Sequence, residues 1–97
     1  MSYLVEWLEP AIVGLERIYL FLAEKNEEAA RAAIKAIREK VILLENYPNA
    51  GRAAEDLEPE QRELLVPFGV SGYVLLYRVE KKVVYILAIR HQREVGY

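Results

Sequence analysis

Cysteine is absent and histidine occurs once in the 97 residues. That excludes disulfides and thiolate zinc sites, and a lone His91 builds no metal or nucleophile-base site by itself. Proline (4) and glycine (5) are also few, and no glycine-rich phosphate loop, internal repeat or low-complexity tract breaks the chain. No apolar run approaches the roughly 20 residues that a membrane-spanning helix needs. Residues 1–8 lead directly into a strand pattern with no basic-then-apolar leader. These absences predict a cytoplasmic protein with no metal, cofactor or membrane partner.

What is present is apolar and charged in globular proportion, 54% and 29%. The length allows one hydrophobic core, so residues 1–97 are expected to form a single domain. The net charge of −2 hides an asymmetry. Residues 1–60 carry 7 Lys/Arg against 12 Asp/Glu, a net of −5, and residues 61–97 carry 6 against 3, a net of +3. The C-terminal third is basic, yet its cations are not clustered as direct nucleic-acid binding requires, so a protein partner is expected.

The stretch 61–92 organises the rest. Three runs rich in β-branched and aromatic residues, 62–68, 73–79 and 83–90, are separated by turn signals at 69–72 and 80–82, which predicts an antiparallel meander. The last two runs are so apolar that central strands covered on both faces are expected. Upstream, Tyr3, Val5 and Trp7 alternate with Leu4, Glu6 and Leu8 as in a short strand at one side of the sheet. Ala11, Leu15, Ile18 and Leu22 then recur at helical spacing after Pro10, predicting a helix over 10–25. Gly14 inside it marks a close approach of backbones. Asn26 followed by Glu27 and Glu28 starts a second helix at once, with an apolar stripe of Ala30, Ile34, Ile37, Val41 and Leu44. So short a connection requires an antiparallel helical hairpin. Pro48 ends it, and a turn through Gly51 and Arg52 leads into a polar loop over 53–60 in which Asp56, Glu58, Pro59 and Glu60 show no catalytic spacing. The tail from Gln92 to Tyr97 is expected to fray unless Tyr97 docks. The fold class is α+β: an N-terminal strand, a helical hairpin, and a three-stranded meander in one sheet.

Several residues carry a resemblance: Val5 and Trp7 with Ala11, Leu15, Ile18 and Tyr19; Pro48, Gly51 and Arg52; Arg62-Glu63-Leu64, Tyr73, Tyr77-Arg78-Val79 and Ile89-Arg90-His91. In their order and spacing they resemble the RelE/ParE superfamily of bacterial type II toxins over nearly the whole chain. The RelE branch implies ribosome-dependent cleavage of mRNA by in-line attack of a 2′-hydroxyl, which needs cations on the phosphate. The family's strand lysines map here onto Glu63 and Leu65, and the arginine after its Gly-Tyr pair maps onto Val74. An acidic and two aliphatic side chains do not stabilise a pentavalent phosphorane. The resemblance therefore implies the ParE branch: a non-enzymatic toxin with no catalytic residues that inhibits DNA gyrase, in plasmid stabilisation, and is held by a cognate ParD-like antitoxin in a hetero-oligomer. The alternative is a RelE-type endoribonuclease using Arg52, Arg62, Arg90 and His91 in a rearranged site.

Arg52, Arg62, Arg78, Arg90, His91 and Arg93 are the candidate contacts to antitoxin or target. Each has a bland counterpart. Arg52 and Arg62 suit salt bridges to Glu63 or the acidic loop, Arg78 a sheet rim, and His91 a hydrogen-bonded strand end. The charged residues Arg31, Lys35, Arg38, Glu39 and Lys40 read as a solvated helix face. The aromatics are expected mostly in the core, with any excess pointing to a protein interface.

Overall fold

The structure is a computed structural model that describes residues 2–54, 58, 60–94 and 96–97. Asp56 and Pro59 of the expected loop lie outside the described residues. β1 (Leu4–Trp7) leads into α1 (Glu9–Ala23). Pro10 sits in the first turn of α1, where its missing N–H costs nothing, and the carbonyl of Leu8 accepts from Ala11 and Ile12. α2 (Glu27–Ile42) begins as its cap residue requires: Asn26 Oδ1 accepts the Ala29 N–H at 3.1 Å, with Glu27 and Glu28 in the positive first turn. Its buried stripe is Ala30, Ala33, Ile37 and Val41. Ala33 takes the place expected for Ile34, which is only half-buried, because the small side chain is the one that faces the packed side. A 3₁₀ turn at Leu43–Glu45 continues the helix and buries Leu44 completely.

Five strands form one mixed sheet in the order β1-β5-β4-β3-β2. β3 (Gln61–Phe68), β4 (Ser71–Glu80) and β5 (Val83–His91) are the expected meander, and β1 joins it parallel to β5 at one edge. Two details differ from the sequence reading. Arg52–Ala53, read as turn and loop, is a short strand, β2, paired antiparallel with Arg62 and Glu63. The β3–β4 connection is a tight two-residue turn at Gly69 and Val70, with Gly69 at φ 62. A positive φ at the first turn position matches the twist of a hairpin and favours glycine.

Helix-side residues Leu64, Val66, Tyr73, Leu75, Tyr77, Val84, Ile86 and Ile89 form one core with Ala11, Ile18, Ile37 and Leu44 from the helices. β4 is covered on both faces as expected, since Tyr73 through Tyr77 are all buried. β5 is not: Val84, Ile86 and Ile89 are buried and its other residues half-exposed. A bulge opposite Leu76 and Tyr77 shifts the register by one, pairing Leu76 with Ala88 and Tyr77 with Ile86. It thereby puts both Ile86 and Ile89 on the helix side despite their odd spacing. The aromatics also depart from expectation. Only Tyr73 and Tyr77 are buried, Tyr3, Trp7, Tyr19 and Tyr85 are intermediate, and Phe21 and Tyr47 are exposed, because the helix and loop surfaces that carry the last two have nothing packed against them.

Gly14 is the close approach that its position in a helix suggested. A Cβ there would lie 2.8 Å from Ile89 Cγ2 and 3.1 Å from the Ile89 carbonyl oxygen. Alanine gains up to about 1 kcal/mol of helix propensity but forces α1 off β5. We expect Gly14→Leu to lower stability by about 1–3 kcal/mol, as overpacking does, and Ile89→Ala to recover part of that loss in the double variant. Urea unfolding of the four proteins measures the coupling; strictly additive losses would contradict the contact.

Candidate functional site

Alternation along β3, β4 and β5 gives the sheet two chemically distinct faces. Register partners share a face, so Arg62 (opposite Tyr77), Leu64, Val66, Tyr73, Leu75 and His91 (opposite Tyr73) look toward the helices. Glu63, Leu65, Val74, Leu76 and Arg90 (opposite Val74) look the other way, joined by Arg52 opposite Glu63.

On the helix side, α1 and the ends of β4 and β5 enclose a groove of about 410 Å³. Ile18, Phe21 and Leu22 form one wall, Tyr73 and His91 the other, and Arg17 and Glu94 meet on the rim at 3.3 Å. Phe21 is 61% exposed. The apolar surface continues onto the outer side of α1, where Val13 and Leu20 are also exposed. Burial raises the Tyr73 phenol above its ordinary value. His91 is held from both ring nitrogens. The Arg93 backbone N–H donates to Nδ1 at 3.1 Å, and Ser71 Oγ lies 3.1 Å from Nε2. An Nδ1 that accepts an N–H leaves the ring proton of the neutral imidazole on Nε2, so the hydrogen-bond network assigns Nε2–H as donor to Ser71. In that tautomer His91 does not take a proton from Ser71.

On the opposite face Glu63, Leu65 and Val74, the positions onto which the resemblance maps the ribonuclease branch's cations, lie together: Leu65 is the register partner of Val74. Glu63 is the hub there. Its carboxylate accepts from Arg52 at 3.3 Å and from the Tyr97 hydroxyl at 2.7 Å, and Arg90 Nη2 lies 3.8 Å away. Arg90 Nη1 donates to the carbonyls of His91, Gln92 and Glu94 at 3.2, 3.3 and 2.8 Å, and its guanidinium carbon sits 5.0 Å from the Tyr97 ring centroid. Tyr97 therefore docks. Burial, followed by the hydrogen bond to the Glu63 carboxylate, pushes its phenol far above the ordinary value.

The remaining sequence candidates fall elsewhere. Arg62 Nη1 donates to the Gly51 carbonyl at 2.8 Å on the helix side, rather than to Glu63. Arg78 is at the rim, bonded to Glu80 at 2.9 Å and stacked over Tyr85 at 4.6 Å. That hydrogen bond lowers the Glu80 carboxyl and raises the Arg78 guanidinium. Arg93 contributes its backbone N–H to His91. The four residues of the nuclease alternative thus split across the sheet, Arg62 and His91 on one face, Arg52 and Arg90 on the other. Arg17, Phe21, Ser71, Glu94 and Tyr97 were not singled out as site residues. For Phe21 a signal existed: α1 carries Ile12, Val13, Leu20 and Phe21 off its core stripe, so it is apolar on more than one side. Among the described residues no cluster of His, Asp and Glu suits a metal ion, and no helix is long and apolar enough to cross a membrane.

Residues 5–96 match a family model described as "ParE toxin of type II toxin-antitoxin system, parDE". Toxin RelE3 of Caulobacter vibrioides is 36% identical over 80 residues, covering 82% of this chain and 84% of that protein. Toxin RelE1 of the same organism is 31% identical over 78 residues, covering 80% and 81%. A solved chain of the chromosomal ParDE TA system from P. aeruginosa is similar with a TM-score of 0.74 and 27% identity, covering 93% of this chain and 96% of that one.

Proposed function

Because the chain belongs to the ParE toxin family of type II toxin-antitoxin systems, within the RelE/ParE superfamily, we propose that it acts without catalysis, by binding DNA gyrase, and is neutralised by a ParD-like antitoxin. The observation that carries the non-enzymatic part is the division of the candidate residues between the two faces of the sheet. In-line cleavage of RNA needs cations and a proton acceptor within hydrogen-bond reach of one phosphate. Here Arg62 is committed to the Gly51 carbonyl, Arg52 to Glu63, and Arg90 to three carbonyls and Glu63. His91 faces the groove in a donor tautomer. A phosphate on the open face would meet the Glu63 carboxylate between the two arginines.

The antitoxin is assigned to the helix-side groove. The ParDE system of the P. aeruginosa structure motivates the partner, and the exposed apolar residues Val13, Leu20 and Phe21 beside the groove supply a surface that an apolar helix or extended segment buries. The sheet edge at β3 is a poorer site, because Pro67 offers no N–H to a further strand.

A supercoiling assay with purified toxin and gyrase tests the target: inhibition that persists in His91→Ala is expected, and normal supercoiling at large toxin excess refutes it. A second reading, ribosome-dependent mRNA cleavage, is favoured by the RelE names of two relatives. It is supported if translated mRNA is cut and His91→Ala abolishes the cutting.

A further inference from the structure

We propose that the groove and the open sheet face are coupled through Glu94, so that an occupant of the groove that separates Arg17 from Glu94 also frees Tyr97 from Glu63 and Arg90. Glu94 is tied on both sides. One carboxylate oxygen accepts from Arg17 of α1 at 3.3 Å, the other from the His91 backbone N–H at 2.7 Å, and its carbonyl accepts from Arg90 Nη1 at 2.8 Å. The first of these contacts is on the groove rim. The last belongs to the arginine that lies under the Tyr97 ring on the opposite face.

Tyr97 follows Glu94 by three residues, a tether of at most roughly 10 Å even when fully extended. Tyr97 spans to the Glu63 carboxylate only while Glu94 stays at the end of β5. The docked arrangement is also poised rather than overdetermined. Arg90 Nε is buried with no hydrogen-bond partner among the described residues, so undocking returns that N–H to water and offsets the loss of the Tyr97 contacts. A segment that offers Arg17 its own carboxylate, or fills the space of the Glu94 side chain, loosens the last turn after β5. Glu63 and Arg90 are then uncovered on the far side of the sheet. By reciprocity, whatever displaces Tyr97 weakens the groove rim. The antitoxin as natural occupant rests on the preceding reading, whereas the coupling is a property of the toxin chain alone.

Nitration by tetranitromethane of the isolated full chain, read at each tyrosine by mass spectrometry, tests the coupling independently of any antitoxin or gyrase. Glu63→Ala removes the acceptor of the Tyr97 hydroxyl and sets the scale for a freed Tyr97. Arg17→Ala, which touches neither Tyr97 nor Glu63, is expected to raise nitration at Tyr97 by at least about fivefold, the lower range of coupling between sites. Glu94→Ala, which removes both side-chain acceptors, is expected to do the same. Tyr77, fully buried, is the internal reference and should keep its wild-type rate. A wild-type rate at Tyr97 in Arg17→Ala and Glu94→Ala, alongside a raised rate in Glu63→Ala, overturns the proposal. So does a rise at Tyr97 matched by an equal rise at Tyr77, which reports loosening of the whole fold.

Discussion

Phe21→Asp is expected to weaken binding of the cognate antitoxin by at least about 30-fold, the effect of losing one central aromatic anchor worth about 2 kcal/mol or more. The ring is 61% exposed in the isolated chain, so its replacement removes little folding stability. In the groove, however, the ring stands beside Ile18 and Leu22, where a partner's apolar side chain would meet a carboxylate stripped of water. Titration calorimetry against the antitoxin measures the loss, and thermal unfolding of the toxin confirms an unchanged fold. Val70→Asp serves as the control: among the described residues it is the most exposed large apolar one, at 94%, and in the β3–β4 turn it does not line the groove. Affinity within about threefold of wild type for Phe21→Asp, under 1 kcal/mol, would remove the groove as the antitoxin site.

Tyr77→Phe is the second large effect, on stability. Tyr77 is fully buried, its hydroxyl accepts the Gly51 N–H at 2.8 Å and donates to the Pro48 carbonyl at 2.8 Å, and Arg62 donates to the Gly51 carbonyl beside it. One phenol thereby fixes the turn at residues 48–51 to the centre of the sheet. Removing the oxygen leaves a buried N–H without a partner, at about 1–3 kcal/mol, and loses a second bond of about 1 kcal/mol. A loss of about 2–3 kcal/mol is expected in urea unfolding, seen as a lower midpoint at unchanged slope. Tyr73→Phe, whose hydroxyl has no hydrogen-bond partner among the described residues, should cost much less.

Ionisation gives an independent check on the same phenol. Burial raises the Tyr77 pKa above 10.0, an effect partly offset by the Gly51 N–H and by Arg62. The folded state therefore favours the neutral phenol. Its contribution is complete below pH 10 and is lost as the pH rises through the higher folded-state value. Tyr77→Phe has no such ionisation, so the stability gap between wild type and variant should narrow above pH 10.

Local signals carried much of the architecture. The 3.6-residue spacing of Ala11, Leu15, Ile18 and Leu22, the Asn26 cap and the turn residues between strands each act within a few positions, so hairpin and meander were legible before any contact was known. Alternation even separates Arg90 from His91, since neighbours in a strand point to opposite faces. Three things were not legible. The two-residue strand at Arg52 exists only because Arg62 and Glu63 arrive opposite it. The bulge beside Leu87 sets which of the β5 residues are buried, and no local residue announces it. The gathering of Arg52, Arg90 and Tyr97 on Glu63 joins residues up to 45 positions apart.

The order of residues by itself determined the α+β class, the helical hairpin, the family resemblance and the acidic and aliphatic side chains at positions 63, 65 and 74, because periodicity, capping and residue identity are properties of neighbours along the chain. Only the tertiary structure decided that Arg62 lies on one face and Arg52 and Arg90 on the other, each engaged by an internal acceptor, that α1 presents Phe21 beside an open groove, and that Tyr97 is docked. Those outcomes depend on strand register and on the side of the sheet the helices cover, which are fixed by packing between segments far apart in sequence.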